Sequence, residues 1–230
     1  MSTLARSTPQ IALERPGSLK DAAYRQIKDL LLSGQLAHDR LYSAQHFAER
    51  LGISRTPARE ALLALAGEGL LVCLDVRGFK VKEFSTKEIQ DVFETRQIIE
   101  SYVFHRLVDD HTNDDLKQME RALKTMAEHA RKKDELAFLE ADKEFHSVPL
   151  RRCGNLHLLA IMENIRNHIA ILSRKALGYE GRYQGVLREH AAILDALRRR
   201  DKKKAAQAVR EHLTTTEQYW LGKEQRAEKE

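Results

Sequence analysis

The chain has 230 residues, 42% of them hydrophobic, so it can form one large or two modest domains and is too apolar to be disordered. Its net charge of +5 permits an acidic partner. The positive charge is spread along the chain, so nucleic-acid binding would depend on individually placed cations. There is no apolar run of membrane-spanning length and no secretory stretch at the N-terminus, so we expect a cytoplasmic protein without a membrane partner.

Few residues interrupt regular structure, since the chain holds only 4 prolines and 11 glycines, which favours helices. Cys73 and Cys153 are far apart and lie outside any CxxC motif. Two reduced thiols are therefore the expectation.

The N-terminal part begins with a polar segment, residues 1–18, which we expect to be a flexible arm. A helix should follow and end at Gly34, because the next apolar residues share one helical stripe: Leu19, Ala23, Ile27, Leu30 and Leu31. A second short helix is predicted over residues 41–50. A third should begin at Ser54 and end before Gly69.

A hairpin is predicted after the third helix. Residues 70–74 and 79–82 are typical of two strands, and residues 75–78 can form the turn between them. Three helices followed by a hairpin are the order of a winged helix-turn-helix, which reads DNA with one helix and touches the backbone or minor groove with its wing.

The third helix has the features of a DNA-reading helix. Gly52 can close the turn before it, and Ser54 is suited to cap its N-terminus. Arg55 and Arg59 are four residues apart and project from one face, where they can donate to phosphates and guanine edges. The alternative interpretation is an ordinary capped surface helix.

From Ser85 onward the pattern is helical almost throughout, which predicts a compact antiparallel bundle of six amphipathic helices. The predicted helices span residues 86–109, 112–132, 134–151, 155–177, 181–199 and 201–221.

Polar residues interrupt the apolar stripes of three of these helices. Asp142 and His146 are one turn apart on one face, and His190 and His212 lie within apolar stretches. A lone inward histidine is usually a hydrogen-bonded core residue, but one cation would satisfy all four side chains together. We therefore predict a divalent metal site of Asp142, His146, His190 and His212.

Arg96 lies on the apolar stripe of residues 86–109 and requires an anion there. One interpretation is an internal pair with Glu100. The other is that Arg96 binds the carboxylate of a small organic acid whose other oxygens reach the metal. Asn155, Arg166 and Arg174 are further candidates for the same effector pocket.

The N-terminal motifs resemble the DNA-binding domain of GntR-type bacterial transcription regulators. The resemblance is carried by Gly34-Gln35-Leu36, Arg40-Leu41, residues 48–57, Arg59-Glu60-Ala61-Leu62, Glu68-Gly69-Leu70 and residues 77–81. It implies DNA contacts by eight residues: Arg40, Gln45, Ser54, Arg55, Thr56, Arg59, Arg77 and Gly78. Gln45 stands where some members have an arginine, and Arg77 and Gly78 would form the wing tip.

The C-terminal part resembles the FCD effector domain of the FadR branch of this family. The matching positions include Thr95-Arg96 with Glu100, residues 142–146, Asn155, Glu189-His190 and Glu211-His212. Six helices are similar to the VanR-type subgroup. The resemblance implies the same four metal ligands, an organic-acid effector and an effector pocket that includes Arg96, Glu100, Asn155 and Arg174. Zinc is favoured, and nickel, manganese or iron also suit three nitrogens and one oxygen.

Together these features predict a mainly α protein in four parts: an arm (1–18), a winged helix-turn-helix (19–84), an effector and dimerisation domain (85–222) and a tail (223–230). The expected function is a homodimeric, metabolite-responsive regulator, most simply a repressor, of a palindromic DNA operator. Two alternatives stay open at this point: a metalloenzyme acting on a small carboxylate, and an effector-insensitive DNA-binding protein whose metal is structural.

Overall fold

The computed structural model describes residues 18–179 and 181–227, without the side chains of residues 76, 174–176 and 223–227. The predicted arm, apart from Ser18, and the end of the predicted tail lie outside the described residues. The N-terminal part holds helices α1 (Leu19–Leu32), α2 (Ala44–Leu51) and α3 (Arg55–Gly67). Its strands are β1 (Leu41–Tyr42), β2 (Leu71–Cys73) and β3 (Phe79–Val81).

The termini of α1, α2 and α3 are set by residues at their caps, and one of the predicted caps does not form its side-chain hydrogen bond. The Ser18 side chain accepts from the Asp21 amide and opens α1 with a capping box. Gly52 ends α2 in the left-handed conformation that glycine adopts without strain. Ser54 occupies the N-cap position of α3, but its side chain makes no capping hydrogen bond.

One predicted element is wrong: residues 41–43 do not belong to the second helix. Leu41 and Tyr42 form a strand that pairs antiparallel with β3, and Ser43 caps α2 instead. The predicted hairpin therefore becomes a three-stranded sheet in the order β1-β3-β2. The buried Tyr42 explains the change, because its ring packs against Phe47 and its hydroxyl accepts from the Ala37 amide.

Gly78 is a structural requirement of this sheet. Its φ of +125° lies in a region that side chains rarely adopt, and an added Cβ would stand 2.7 Å from the Tyr42 carbonyl oxygen. The residue is also buried. Gly78 was predicted to contact DNA at the wing tip, but the structure packs its α-carbon against β1 instead.

The C-terminal part consists of six helices in the described residues, as predicted. They are α4 (Thr86–Asp110), α5 (Asn113–Lys132), α6 (Glu135–Cys153), α7 (Leu156–Leu177), α8 (Arg182–Arg198) and α9 (Lys202–Ala227). Helix α9 continues beyond the predicted end at residue 221 into the segment expected to be a tail. Capping boxes at Ser85 and Thr112 set the starts of α4 and α5. The expected architecture, mainly α with a winged helix-turn-helix followed by an all-α bundle, is confirmed.

The apolar core of the N-terminal part continues into the bundle. Phe93 on α4 packs edge-on against Trp220 on α9, with ring centroids 4.9 Å apart. Both rings, together with Ile171 and Leu172 on α7, belong to the same buried cluster as the winged helix-turn-helix core. The two parts therefore share one continuous apolar contact rather than meeting through a solvated linker.

Within the described ranges, no helix combines the length and the apolar character needed to cross a membrane.

We expect Gly78→Ala to lower the free energy of unfolding in urea by at least about 2 kcal/mol, because the new methyl group meets backbone and the φ is strained. Gly67→Ala is the matched control, since a Cβ at Gly67 meets nothing within 4 Å and its backbone is helical. The control should raise the stability by up to about 1 kcal/mol. Equal stability of Gly78→Ala and the wild type would contradict the role assigned to Gly78.

Candidate functional site

Three of the four predicted metal ligands meet at one point. His146 on α6, His190 on α8 and His212 on α9 are buried, and one ring nitrogen of each lies within 4.8 Å of the others. The Nε2 atoms of His146 and His190 are 3.1 Å apart. Asp142 is close to this cluster, with its Oδ1 atom 3.1 Å from His190 Nε2 and 3.9 Å from His146 Nε2.

Each imidazole is held by an acceptor at its other nitrogen, Nδ1. His190 Nδ1 lies 2.8 Å from the Val186 carbonyl oxygen. The Nδ1 atoms of the other two rings face carboxylates: Glu100 is 2.6 Å from His146, and Glu189 is 2.7 Å from His212. Because carbonyl and carboxylate oxygens only accept, each Nδ1 must carry the proton.

A neutral ring that is protonated at Nδ1 carries its lone pair on Nε2, so three neutral rings would place lone pairs where their nitrogens converge. Lone pairs at these distances repel unless a positive charge lies between them. A divalent cation satisfies all three, and an acceptor on Nδ1 is the usual support of a metal-binding imidazole. The donor set of three nitrogens with a neighbouring carboxylate fits the ion that the sequence predicted.

Burial and neighbouring groups shift the pKa values of two members of the cluster, His212 and Asp142. Burial, followed by the neighbouring His190, lowers the pKa of His212 to about 3, so this ring is neutral at neutral pH. Burial alone would raise the pKa of Asp142, but its contacts with the neighbouring imidazoles hold it well below its usual range.

The partners of His212 were not predicted from the sequence. Burial acts to raise the pKa of Glu189, but His212 and Arg182 lower it to about 2. Arg182 is almost fully buried and holds Glu189 through Nη1 at 2.6 Å, while its Nη2 donates to Thr216 at 2.8 Å. Glu189 is next to His190 in the sequence, but its side chain contacts His212. This contact depends on the packing of α8 against α9, which the sequence alone does not show.

Arg96 and Glu100 form the internal pair that the sequence left open. Arg96 Nε donates to Glu100 Oε1 at 2.8 Å, and both side chains are buried. The other oxygen of Glu100 lies 2.6 Å from His146 Nδ1. Burial opposes its ionisation, but Arg96 and His146 hold the pKa of Glu100 well below its usual range. Glu100, predicted as an effector contact, connects Arg96 to the histidine cluster and also lines the cavity beside that cluster.

A cavity of about 550 Å³ opens beside the histidine cluster. Arg96, Asp142 and His146 line it, and so does Arg166 on α7. Arg166 Nη1 donates to Ser147 at 2.8 Å, while its buried Nη2 has no hydrogen-bond partner among the described residues. Burial lowers the pKa of Arg166. The cavity therefore places two guanidinium groups next to the cluster.

The structure does not bring Asn155 to this cavity. Asn155 is exposed at the start of α7, where its Oδ1 accepts from the amides of His157 and Leu158. This capping role accounts for the residue type without an effector. The side chain of Arg174 lies outside the described residues.

The predicted DNA-reading face is exposed. Ser54, Arg55, Thr56 and Arg59 are all exposed along the first turns of α3. In the described part of the chain their side chains have no ion pair or hydrogen bond, so their donors are available to a ligand. The opposite side of α3 is fully buried, which fixes the orientation of the helix.

The other predicted DNA contacts surround this face or lie on the wing. Arg40 is exposed with its guanidinium 5.5 Å from the centre of the Tyr42 ring. Gln45 is exposed on α2 and donates to Glu49 at 2.8 Å. Arg77 is exposed in the short 3-10 turn Asp75–Arg77 between β2 and β3. Gly78, as described above, is buried.

We expect Arg96→Met to lower the free energy of unfolding by about 3 kcal/mol in the presence of chelator, because it leaves the buried Glu100 without its guanidinium partner. Arg106→Met on the same helix is the control. Arg106 is largely exposed and lies 3.6 Å from the exposed Asp110, so its loss should cost under about 1 kcal/mol. Similar losses in urea titrations of the two variants would contradict the structural weight given to the Arg96–Glu100 pair.

Comparison with known proteins gives a consistent assignment for both parts of the chain. Residues 19–81 match the family described as "Bacterial regulatory proteins, gntR family", and residues 91–215 match the FCD domain. The HTH-type transcriptional regulator YdhC of Bacillus subtilis is 24% identical over 203 residues, covering 87% of this chain and 90% of the relative. The gluconate operon transcriptional repressor of Bacillus licheniformis is 26% identical over 183 residues, covering 77% and 74%.

A solved structure supports the fold. A transcriptional regulator GntR from Rhodococcus sp. RHA1 superposes with a TM-score of 0.78 at 22% identity, covering 88% of this chain and 97% of that structure. The relatives are named as transcription regulators rather than enzymes, which confirms the interpretation as a regulator. The chain belongs to the GntR family of bacterial transcription regulators and carries an FCD domain after its winged helix-turn-helix.

Proposed function

We propose that this regulator is a metabolite-responsive repressor that binds a palindromic DNA operator as a homodimer and is controlled by a small organic acid bound beside a divalent metal. The division proposed is residues 19–84 for DNA binding and residues 85–222 for effector binding and dimerisation. The observation that carries the proposal is the convergence of three imidazoles, of which His146 lines a cavity formed by both parts of the chain.

DNA binding is assigned to the exposed face of α3. Arg55 and Arg59 reach base edges in the major groove, and Ser54 and Thr56 donate to phosphates. Arg40, Gln45 and Arg77 lie at the edges of this surface and contact the backbone or flanking bases. The two winged helix-turn-helix domains of a dimer would bind DNA half-sites whose centres are one turn of the double helix or less apart.

Arg59→Ala should weaken binding to an operator selected from random DNA by about 1–3 kcal/mol, because it removes a donor to a base edge. Arg121→Ala removes an equal charge from the exposed surface of α5 and serves as the control. Fluorescence anisotropy at fixed salt measures both. Equal affinities of Arg59→Ala and Arg121→Ala would remove Arg59 from the reading surface.

The metal is assigned to His146, His190, His212 and Asp142, and zinc is favoured by three nitrogens and one oxygen, with nickel, manganese and iron as alternatives. A bound cation would supply Lewis acidity for an effector carboxylate. The protein's own groups do the rest: Glu100 and Glu189 orient His146 and His212, and Val186 orients His190.

Zinc titration of the metal-free protein should give one bound ion per chain, and His190→Ala should abolish this binding or weaken it by at least about a hundredfold, since it removes a buried ligand. His157→Ala, on an exposed histidine of α7, is the matched control. Competition with a chromogenic chelator reports the affinity. A His190→Ala protein that retains zinc as tightly as His157→Ala would refute the ligand assignment.

The effector is assigned to the cavity beside the cluster. Arg96 and Arg166 present guanidinium groups to it, and such groups bind carboxylates through paired hydrogen bonds. A relative of this chain is named for gluconate, a sugar acid, which is consistent with an organic acid here. The structural-metal alternative is favoured instead if carboxylates leave DNA binding unchanged in the zinc-loaded protein.

Dimerisation is assigned to α4 and α7, which pack against each other. Ile98 and Tyr102 lie one turn apart on α4, and Leu156 and Ile161 lie on α7, all as exposed large apolar side chains. Arg106 near the end of α4 lies 3.5 Å from Cys153, just before α7 begins, so the two helices run side by side in opposite directions. A second copy of the chain would bury this surface.

A further inference from the structure

The DNA-binding part of the chain contributes a wall to the effector cavity. Lys28 and Leu32 on α1 line the same cavity as Arg96, Asp142 and His146. A larger cleft of about 780 Å³ between α1 and the start of α6 shares Asp29, Leu32 and other lining residues with the cavity. A molecule in the cavity therefore lies at the junction of the two parts.

Lys28 is held at this wall by Glu68. Its Nζ atom donates to Glu68 Oε2 at 2.8 Å and to the Tyr24 hydroxyl at 2.7 Å. Tyr24 in turn donates to the other oxygen of Glu68. Although burial lowers the pKa of Lys28, these hydrogen bonds raise it above its ordinary value, so the amine is fully charged.

Glu68 is the residue that ends the DNA-reading helix, since it occupies the C-cap position of α3. Helix α7 contacts it at two points: Asn167 donates to its Oε2 at 3.3 Å, and His168 Nε2 lies 2.9 Å from its carbonyl oxygen. Asn167 also lines the cavity, one residue after Arg166. The carboxylate of Glu68 is thus bound by two groups, Lys28 and Asn167, that the cavity also presents to a ligand.

We infer that Lys28 is a direct anion contact of the effector and that the effector carries at least two anionic groups, one for the histidine and arginine end of the cavity and one for Lys28. This inference rests on the proposed function and identifies the effector class as a dicarboxylate or tricarboxylate. The effector anion competes with Glu68 for Lys28 and so weakens the contact between α1 and the end of α3. By reciprocity, occupancy of the Glu68–Lys28 pair disfavours the effector.

Two substitutions test the competition because they act in opposite directions. Lys28→Gln removes the cation and should weaken the effector by about tenfold or more. Glu68→Gln removes the competing carboxylate, keeps the side-chain length and retains the main-chain acceptor of His168, so it should tighten the effector severalfold. Lys20→Gln, on an exposed lysine at the start of α1, is the control and should leave binding unchanged.

The probes are citrate, malate and gluconate, titrated calorimetrically into the full-length zinc-loaded protein, with circular dichroism to verify that each variant is folded. Citrate and malate should respond to both substitutions, whereas gluconate, with a single carboxylate, should respond less. If the wild-type protein binds the probes and Lys28→Gln binds them equally well, this inference is wrong while the proposed effector site stands. Weakening by both substitutions would also overturn it, because it would make the pair a structural element of the site. A wild-type protein that binds none of the three would refute the proposed effector site together with the inference.

Discussion

The helices of the C-terminal part are connected through three buried imidazoles, one ring nitrogen of each lying within 4.8 Å of the others. Each ring is oriented through Nδ1, which faces an oxygen atom of Glu100, Val186 or Glu189. The acceptors come from α4 and α8, and the rings from α6, α8 and α9, so one constellation connects four of the six helices. Arg96, which lines the cavity, belongs to the same network through Glu100.

Much of the fold could be predicted because the helices are long, strongly amphipathic and capped by recognisable residues. Ser85 and Thr112 open α4 and α5 as their sequence context indicates. Leu41 and Tyr42 were predicted as helix but form a strand, because two residues are too few to show the alternating pattern of a strand. Their conformation depends on pairing with β3, almost forty positions away in the chain. The sequence indicated a glycine at the turn between β2 and β3. The need for glycine at position 78 comes from a tertiary contact, the close approach of the Tyr42 carbonyl oxygen.

The site divides in the same way. Asp142 and His146 could be associated through their spacing on one helix, and His190 and His212 through their apolar surroundings. The supporting groups could not: Arg182 and Glu189 are charged residues whose burial follows from the packing of α8 on α9. Asn155 was predicted to contact the effector, but its side chain caps α7 away from the cavity. The sequence could not separate these two roles, because asparagine suits both. Lys28 lies in the other part of the chain, and only the docking of α1 against α7 brings it to the cavity.

The continuous apolar contact through Phe93, Ile171, Leu172 and Trp220 limits how the molecule can respond to a ligand. If a flexible linker joined the winged helix-turn-helix to the bundle, a ligand could change only the mobility of that domain. Two such domains in a dimer would have no defined spacing. Here the winged helix-turn-helix packs against the C-terminal parts of α7 and α9 through Ile171, Leu172 and Trp220. In the proposed dimer, a ligand would therefore have to tilt the winged helix-turn-helix about this apolar contact, and small displacements near the cavity would change the separation of the two α3 helices.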